Sequence, residues 1–124
     1  MNPNLGNAVE IALPQGKSFL EYYFSIACDS GSSFKIKIEY NTNEGSMAIN
    51  WLKPSQTAGK ILPYLFTQCE SIACRSIAPM MDSPAIKITY DAKVTVPSEF
   101  VVKMSANETN METSSDGLKK TYCF

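Results

Sequence analysis

A glutamine and a glutamate two residues apart, Gln68 and Glu70 in "YLFTQCESIAC", are the side chains best suited to chemistry in this sequence. In an extended backbone, side chains two apart point the same way, so these two would share a face and Cys69 would oppose them. A carboxylate beside an amide at a strand end suits a substrate ammonium group. The carboxylate supplies charge, and the amide oxygen supplies a second acceptor. The plainer alternative has both groups pointing into water at a sheet edge. Further on, Arg75 and Asp82 lie within a few residues of each other, across a turn bounded by Pro79 and Pro84. They read as an internal ion pair pinning that turn, with Asp82 also suited to accept backbone N–H groups as a turn cap. That role is structural, and no residue of the chain is assigned a catalytic one.

The chain contains no histidine. This removes the commonest general base and the usual catalytic zinc ligand. Neither a Ser-His-Asp nor a Cys-His arrangement can be assembled from these residues alone. The glycines are scattered singly at turns, so no phosphate-cradling loop is expected. Cys28, Cys69, Cys74 and Cys123 lack the two-residue spacing of zinc knuckles or redox motifs. They are expected to be reduced thiols in or near a core, with a structural zinc or a disulfide as the alternatives. No metal is expected to be bound by this chain.

The elements that must position Gln68 and Glu70 are strands. Apolar and polar residues alternate in "VEIAL" and in "FKIKIEY", where Phe34, Ile36, Ile38 and Tyr40 are expected inward. "FLEYYFSIAC" (19–28) is apolar on both faces, as in a sandwiched strand or a short helix. Met47, Ile49 and Trp51 alternate next, then the loop "LKPSQTAGK", then the run through Tyr64, Leu65 and Phe66 toward Gln68. "AIKITYDAKVTV" (85–96) is the most regular pattern. "EFVVKMS" and "LKKTYCF" are short strand candidates around a polar stretch, Ala106 to Gly117, expected to be disordered. A short helical turn is expected near Ser71 to Ala78. The class is therefore all-β, a sheet or sandwich. Trp51, Tyr64 and Phe66 read either as core or as the lining of a hydrophobic channel.

With 124 residues and 44% hydrophobic content, the sequence fits one domain with a modest core. A formal charge of −1 with interspersed signs gives no basic patch, so a nucleic-acid partner is not expected. No stretch resembles a secretory leader or is long enough to span a bilayer, so a cytoplasmic setting without membrane attachment is expected. Asn107-Glu108-Thr109 matches a glycosylation acceptor, which in that setting is an ordinary loop.

The stretch "TQCESIACRSIAPMMDSPAIKITYDAKVTVP" resembles the N-terminal domain signature of zinc aminopeptidases of the aminopeptidase N family. Thr67, Gln68, Glu70, Arg75, Pro79, Asp82, Pro84 and Lys87 fall in register with it. Its flank, with Trp51, Leu52, Pro54, Gln56, Thr57, Gly59, Lys60 and Pro63 to Phe66, is similar to the leukotriene A-4 hydrolase branch. The resemblance implies a saddle-like β-sheet domain lying against a thermolysin-like catalytic domain of the same polypeptide. It further implies that residues 1–124 are part of that domain, lacking strands at both ends. Zinc would be held by a His-Glu-x-x-His helix and a later glutamate beyond this chain, which would be inactive alone. Gln68 and Glu70 would reach the lip of the cleft and bind the free amino terminus of a peptide substrate. Leukotriene hydrolases carry glutamine where this chain has Glu70, and ordinary aminopeptidases commonly carry glutamate. The resemblance thus implies an enzyme that mainly removes N-terminal residues from peptides, with epoxide hydrolysis open. The alternative is a short non-catalytic β module that binds a peptide or protein through an exposed sheet edge.

Overall fold

Pairing of short strands organises the chain in a computed structural model that describes the backbone of Val9–Ala12, Gly31, Ser33 and residues 35–124. Seven strands are found among the described residues: β1 (Val9–Ala12), β2 (Ile36–Glu39), β3 (Ile49–Leu52), β4 (Tyr64–Thr67), β5 (Lys93–Pro97), β6 (Asn110–Thr113) and β7 (Lys119–Cys123). The only helical segments among these residues are two 3₁₀ turns, Pro54–Gln56 and Cys74–Ser76. The fold class is all-β, built from open sheets. No helix among the described residues is long and apolar enough to cross a membrane. The chain divides into two compact units, Met1–Ile86 and Lys87–Phe124.

In the first unit β1 runs parallel to β2, with Val9 opposite Ile36 and Ile11 opposite Ile38. The expected strand at 19–28, Phe34 and Cys28 lie outside the described residues. Of the apolar positions in "FKIKIEY", Ile38 is half-buried while Ile36 and Tyr40 remain exposed. The polar partners Lys37 and Glu39 pair with each other at 2.5 Å on the outer face.

The antiparallel pair β3–β4 sets Ile49 against Thr67, Asn50 against Phe66, Trp51 against Leu65 and Leu52 against Tyr64. Its connection is folded by its own side chains. Pro54 opens the first 3₁₀ turn, where a fixed φ and a missing donor cost nothing. Gln56 Oε1 accepts the Lys53 N–H at 3.0 Å, and the Lys53 carbonyl accepts the Gln56 N–H at 2.8 Å. The Thr57 hydroxyl lies 2.9 Å from the Pro54 carbonyl and 3.0 Å from that of Leu62, so it bridges both sides of the loop. Lys60 takes a left-handed φ of 53° directly after Gly59, where the chain reverses.

The second unit is a three-stranded antiparallel sheet in the order β5–β7–β6. Its core lies at the C-terminal end of β7 and just beyond it: Tyr122 and Phe124 are buried, and Val94 and Val96 on β5 are half-buried. The Tyr122 hydroxyl donates to the Phe100 carbonyl at 3.2 Å, satisfying the polar end of a buried ring. Across β5 and β7 the Thr95 and Thr121 hydroxyls meet at 2.8 Å.

Three expectations fail in this unit. The alternating run 85–96 enters a ladder only from Lys93, because residues 85–91 have no strand partner among the described residues and alternation alone does not create one. "EFVVKMS" forms no strand. The polar stretch expected to be disordered instead holds β6, which turn chemistry recruits despite its lack of apolar alternation. Ser114, Asp116 and Gly117 close the β6–β7 hairpin, with Gly117 at φ 73°. Asp116 Oδ1 accepts from the Ser114 hydroxyl and from the Leu118 N–H. These bonds hold the Asp116 carboxyl below the ordinary aspartate range.

Candidate functional site

Strand β4 delivers the candidate residues and ends just before them. Thr67 is its last ladder residue, and one further bond, Gln68 N–H to the Ala48 carbonyl at 2.9 Å, fixes Gln68 beside the start of β3. The chain then leaves the strand. The Ala73 N–H donates to the Cys69 carbonyl at 2.9 Å, closing a tight turn that carries Glu70, Ser71 and Ile72. The Glu70–Ser71 peptide is cis. The expectation that extension continues through Glu70 is therefore corrected. Pleating aligns side chains only while the backbone stays extended, and here the strand ends at Thr67 and a turn begins at Glu70. Gln68 and Glu70 are both exposed. Neither is enclosed in apolar packing.

The base of this turn is anchored on two sides. Small residues allow segment 42–48 to approach closely: Ser46, Ala48 and Ala73 are all buried. Within this contact the Ser76 hydroxyl donates to the Ala73 carbonyl at 2.7 Å and accepts the Ala48 N–H at 3.2 Å. Ser46 and Ser76 hydroxyls lie 3.0 Å apart, and the Thr42 hydroxyl reaches the Ile77 carbonyl at 2.5 Å. On the other side Asp82 accepts the Arg75 backbone N–H at 2.8 Å and Arg75 Nε at 3.2 Å, through the same Oδ2. Arg75 Nη2 then donates to the Asp82 carbonyl at 3.0 Å. Asp82 thus serves both as ion-pair partner and as backbone cap. No polar side-chain atom buried among the described residues lacks a hydrogen-bond partner.

Cys69 and Cys74, expected as reduced thiols, are joined as a disulfide with Cα atoms 4.8 Å apart. A five-residue separation read as neither a zinc nor a redox spacing. The turn bond from Ala73 to Cys69 brings the two ends together, and the sequence pattern alone did not reveal that turn. Cys123 is a free, half-buried thiol.

The aromatic cluster does not form as one group. Strand register places Tyr64 and Phe66 on one face, where their rings stack at 6.0 Å and 24°, while Trp51 points to the other. All three are exposed, Trp51 by 59% and Tyr64 by 56%, so they are neither core nor a shared channel lining. Among the described residues no group of three or more His, Cys, Asp or Glu side chains is arranged to hold a metal ion. What this end of the first unit can do chemically is present a carboxylate and an amide to solvent from a braced turn.

Comparison with known proteins places that turn in a family. The peptidase M1 N-terminal domain model matches residues 14–124. The chain is 40% identical over 120 residues to leukotriene A-4 hydrolase of Xenopus laevis, covering 96% of this chain and 18% of that protein. It is 37% identical over 122 residues to leucine aminopeptidase 2 of Neurospora crassa, covering 98% of this chain and 16% of that protein. A 66-residue match to leucine aminopeptidase 2 of Yarrowia lipolytica reaches 44% identity, over 53% of this chain and 10% of that protein. The chain thus spans less than a fifth of the length of these relatives. From its strand pattern, its Gln-x-Glu turn and these matches, the chain belongs to the peptidase M1 N-terminal domain family.

Proposed function

We propose that this chain is the substrate-facing N-terminal β domain of a zinc-dependent aminopeptidase, similar to leukotriene A-4 hydrolase, which removes N-terminal residues from peptides in the cytoplasm. The observation that carries the reading is the exposure of Gln68 and Glu70 at the end of a strand whose following turn is braced by Arg75, Asp82 and Ser76. A turn whose backbone is already held loses little freedom when the side chain it carries meets a cation, which is the condition for a useful recognition group. Glu70 supplies negative charge to the α-ammonium of the peptide, and the Gln68 amide oxygen supplies a second acceptor. Gln68 and Glu70 bind and orient. They transfer no proton in this scheme.

The zinc belongs to the remainder of the polypeptide. The described residues contain no cluster suited to it and the chain has no histidine, so no catalytic step is assigned to these residues. The partner of this domain is the catalytic domain of the same polypeptide, and the shared ligand is the free amino terminus of a peptide.

The reading is tested by assaying the full-length polypeptide on aminoacyl reporter substrates with and without a chelator. Release of the reporter that stops on chelation and returns with zinc is the expected result. Absence of aminopeptidase turnover in the metal-loaded full-length protein overturns it, and capture of peptides without cleavage then points to a binding module.

A further inference from the structure

We propose that Cys69 and Cys74 form a reversible thiol–disulfide pair that controls how firmly the Glu70 turn is held, so that the redox state of the pair sets affinity for the substrate amino terminus. The inference rests on the proposed reading of Glu70 as an amine anchor and of the cytoplasm as its setting. Glu70 is the first residue inside the ring that the disulfide closes, and Gln68 and Arg75 are its immediate outer neighbours. With the bond formed, the turn is fixed at both ends by a covalent link. With the bond open, no covalent link closes the turn, which is then held by hydrogen bonds: Ala73 N–H to the Cys69 carbonyl, Ile77 and Ala78 N–H to the Cys74 carbonyl, and the contacts of Gln68, Ser76 and Arg75 beyond the ring.

Both cysteines are half-buried, and neither is deeply enclosed. Exposed disulfides are the labile and regulatory ones, whereas deeply enclosed ones are structural. In the proposed cytoplasmic setting a persistent structural disulfide is rare, and those that do form act transiently in redox sensing. The exchange balances with glutathione as co-reactant. One glutathione thiolate attacks a protein sulfur, giving a mixed disulfide and one free protein thiolate. A second glutathione thiolate attacks the mixed disulfide, releasing oxidised glutathione and the second protein thiolate, and both protein thiolates take up protons. The protein pair gains two electrons and two protons, and two glutathione molecules are oxidised to one disulfide. The reverse sequence closes the ring.

Affinity follows from preorganisation. Fixing the turn in advance removes ordering that the open form must complete on binding, so the closed form binds the amino terminus more tightly. Chemistry at a metal supplied elsewhere is untouched, so the effect falls on KM and leaves kcat unchanged.

The test equilibrates the full-length polypeptide in glutathione buffers of graded poise, blocks free thiols by alkylation, and analyses the tryptic peptide 61–75, which contains both cysteines. Cys69 and Cys74 are expected to gain two alkyl groups together in one transition under reducing poise. Under oxidising poise they are expected to gain none, the peptide mass then being lower by two hydrogens. KM for a reporter with a free amino terminus is expected to rise at least about threefold on reduction, with kcat constant. Cys74→Ser is expected to show the reduced-state KM at every poise. Two independently alkylated thiols under oxidising poise overturn the pair. A disulfide that forms without changing KM, while Glu70→Gln still raises KM, overturns the switch and leaves the anchor standing. If Glu70→Gln leaves KM unchanged, the anchor reading and the switch built on it both fail, and labelling alone then decides the pair.

Discussion

Asp82 Oδ2 accepts two hydrogen bonds from one residue, the Arg75 backbone N–H and its Nε, and the Asp82 carbonyl takes a third from the same guanidinium. Asp82 is largely shielded while Arg75 is more than half exposed, so the carboxylate is the partner whose loss matters. Removing it leaves a backbone donor without its acceptor, a cost of about 1–2 kcal/mol. Asp82→Ala is therefore expected to speed amide exchange at Arg75 by roughly five- to thirtyfold. Asp82→Asn, which keeps an acceptor oxygen and loses the charge, is expected to have a smaller effect; equal effects would assign the bracing to charge alone. This pairing was legible in the sequence because opposite charges flank a proline-bounded turn. The contribution of Ser76 was not. A serine hydroxyl that accepts from Ala48 and donates to Ala73 depends on segment 42–48 lying against the turn, and no local pattern announces that.

At the scale of elements, the β6–β7 hairpin exposes the limit of reading periodicity. Asn110–Thr113 has no apolar alternation and all four residues are exposed, so hydrophobic pattern reading passes over it. "SSDG" was the available signal: a polar cluster with an Asp-Gly step is turn chemistry, and a turn implies two strands. Conversely, 85–91 alternates well and joins no sheet among the described residues, because a strand is defined by its partner as much as by its own sequence. β5 and β7 were legible because alternation and pairing coincide at Val94, Val96 and Tyr122. The Asp116 cap makes the hairpin acid-sensitive. Its carboxyl is depressed first by the Ser114 hydroxyl and then by the Leu118 N–H, so its folded value lies below its unfolded one. A group of that kind contributes fully above the unfolded aspartate range, near about pH 4, and its contribution fades as pH falls through the lower folded value. Amide exchange at Leu118, corrected for its intrinsic pH dependence, is expected to lose protection over that acid window. Asp116→Ala is expected to lack the dependence. Unchanged protection through the window in the native chain would contradict the assignment of the cap.

For the whole molecule, two units carry different parts of the account. The first presents the Gln-x-Glu turn, and the second is a small sheet organised around Tyr122 and Phe124. The all-β class and the family were legible in the sequence, the first from alternation and the second from the motif between Thr67 and Lys87. The geometry at the candidate site was less so. Pleating predicted that Gln68 and Glu70 align, whereas the strand ends at Thr67, a turn begins at Glu70 and a disulfide closes behind it. Both residues nevertheless remain open to solvent, as recognition of an ammonium group requires. The most direct measurement is KM of the full-length polypeptide for a peptide reporter with a free amino terminus, compared between the native protein and Glu70→Gln. Replacing charge by a dipole is expected to raise KM about three- to tenfold, with kcat little changed. An unchanged KM in the correctly folded variant would contradict Glu70 as the anchor of the substrate amine.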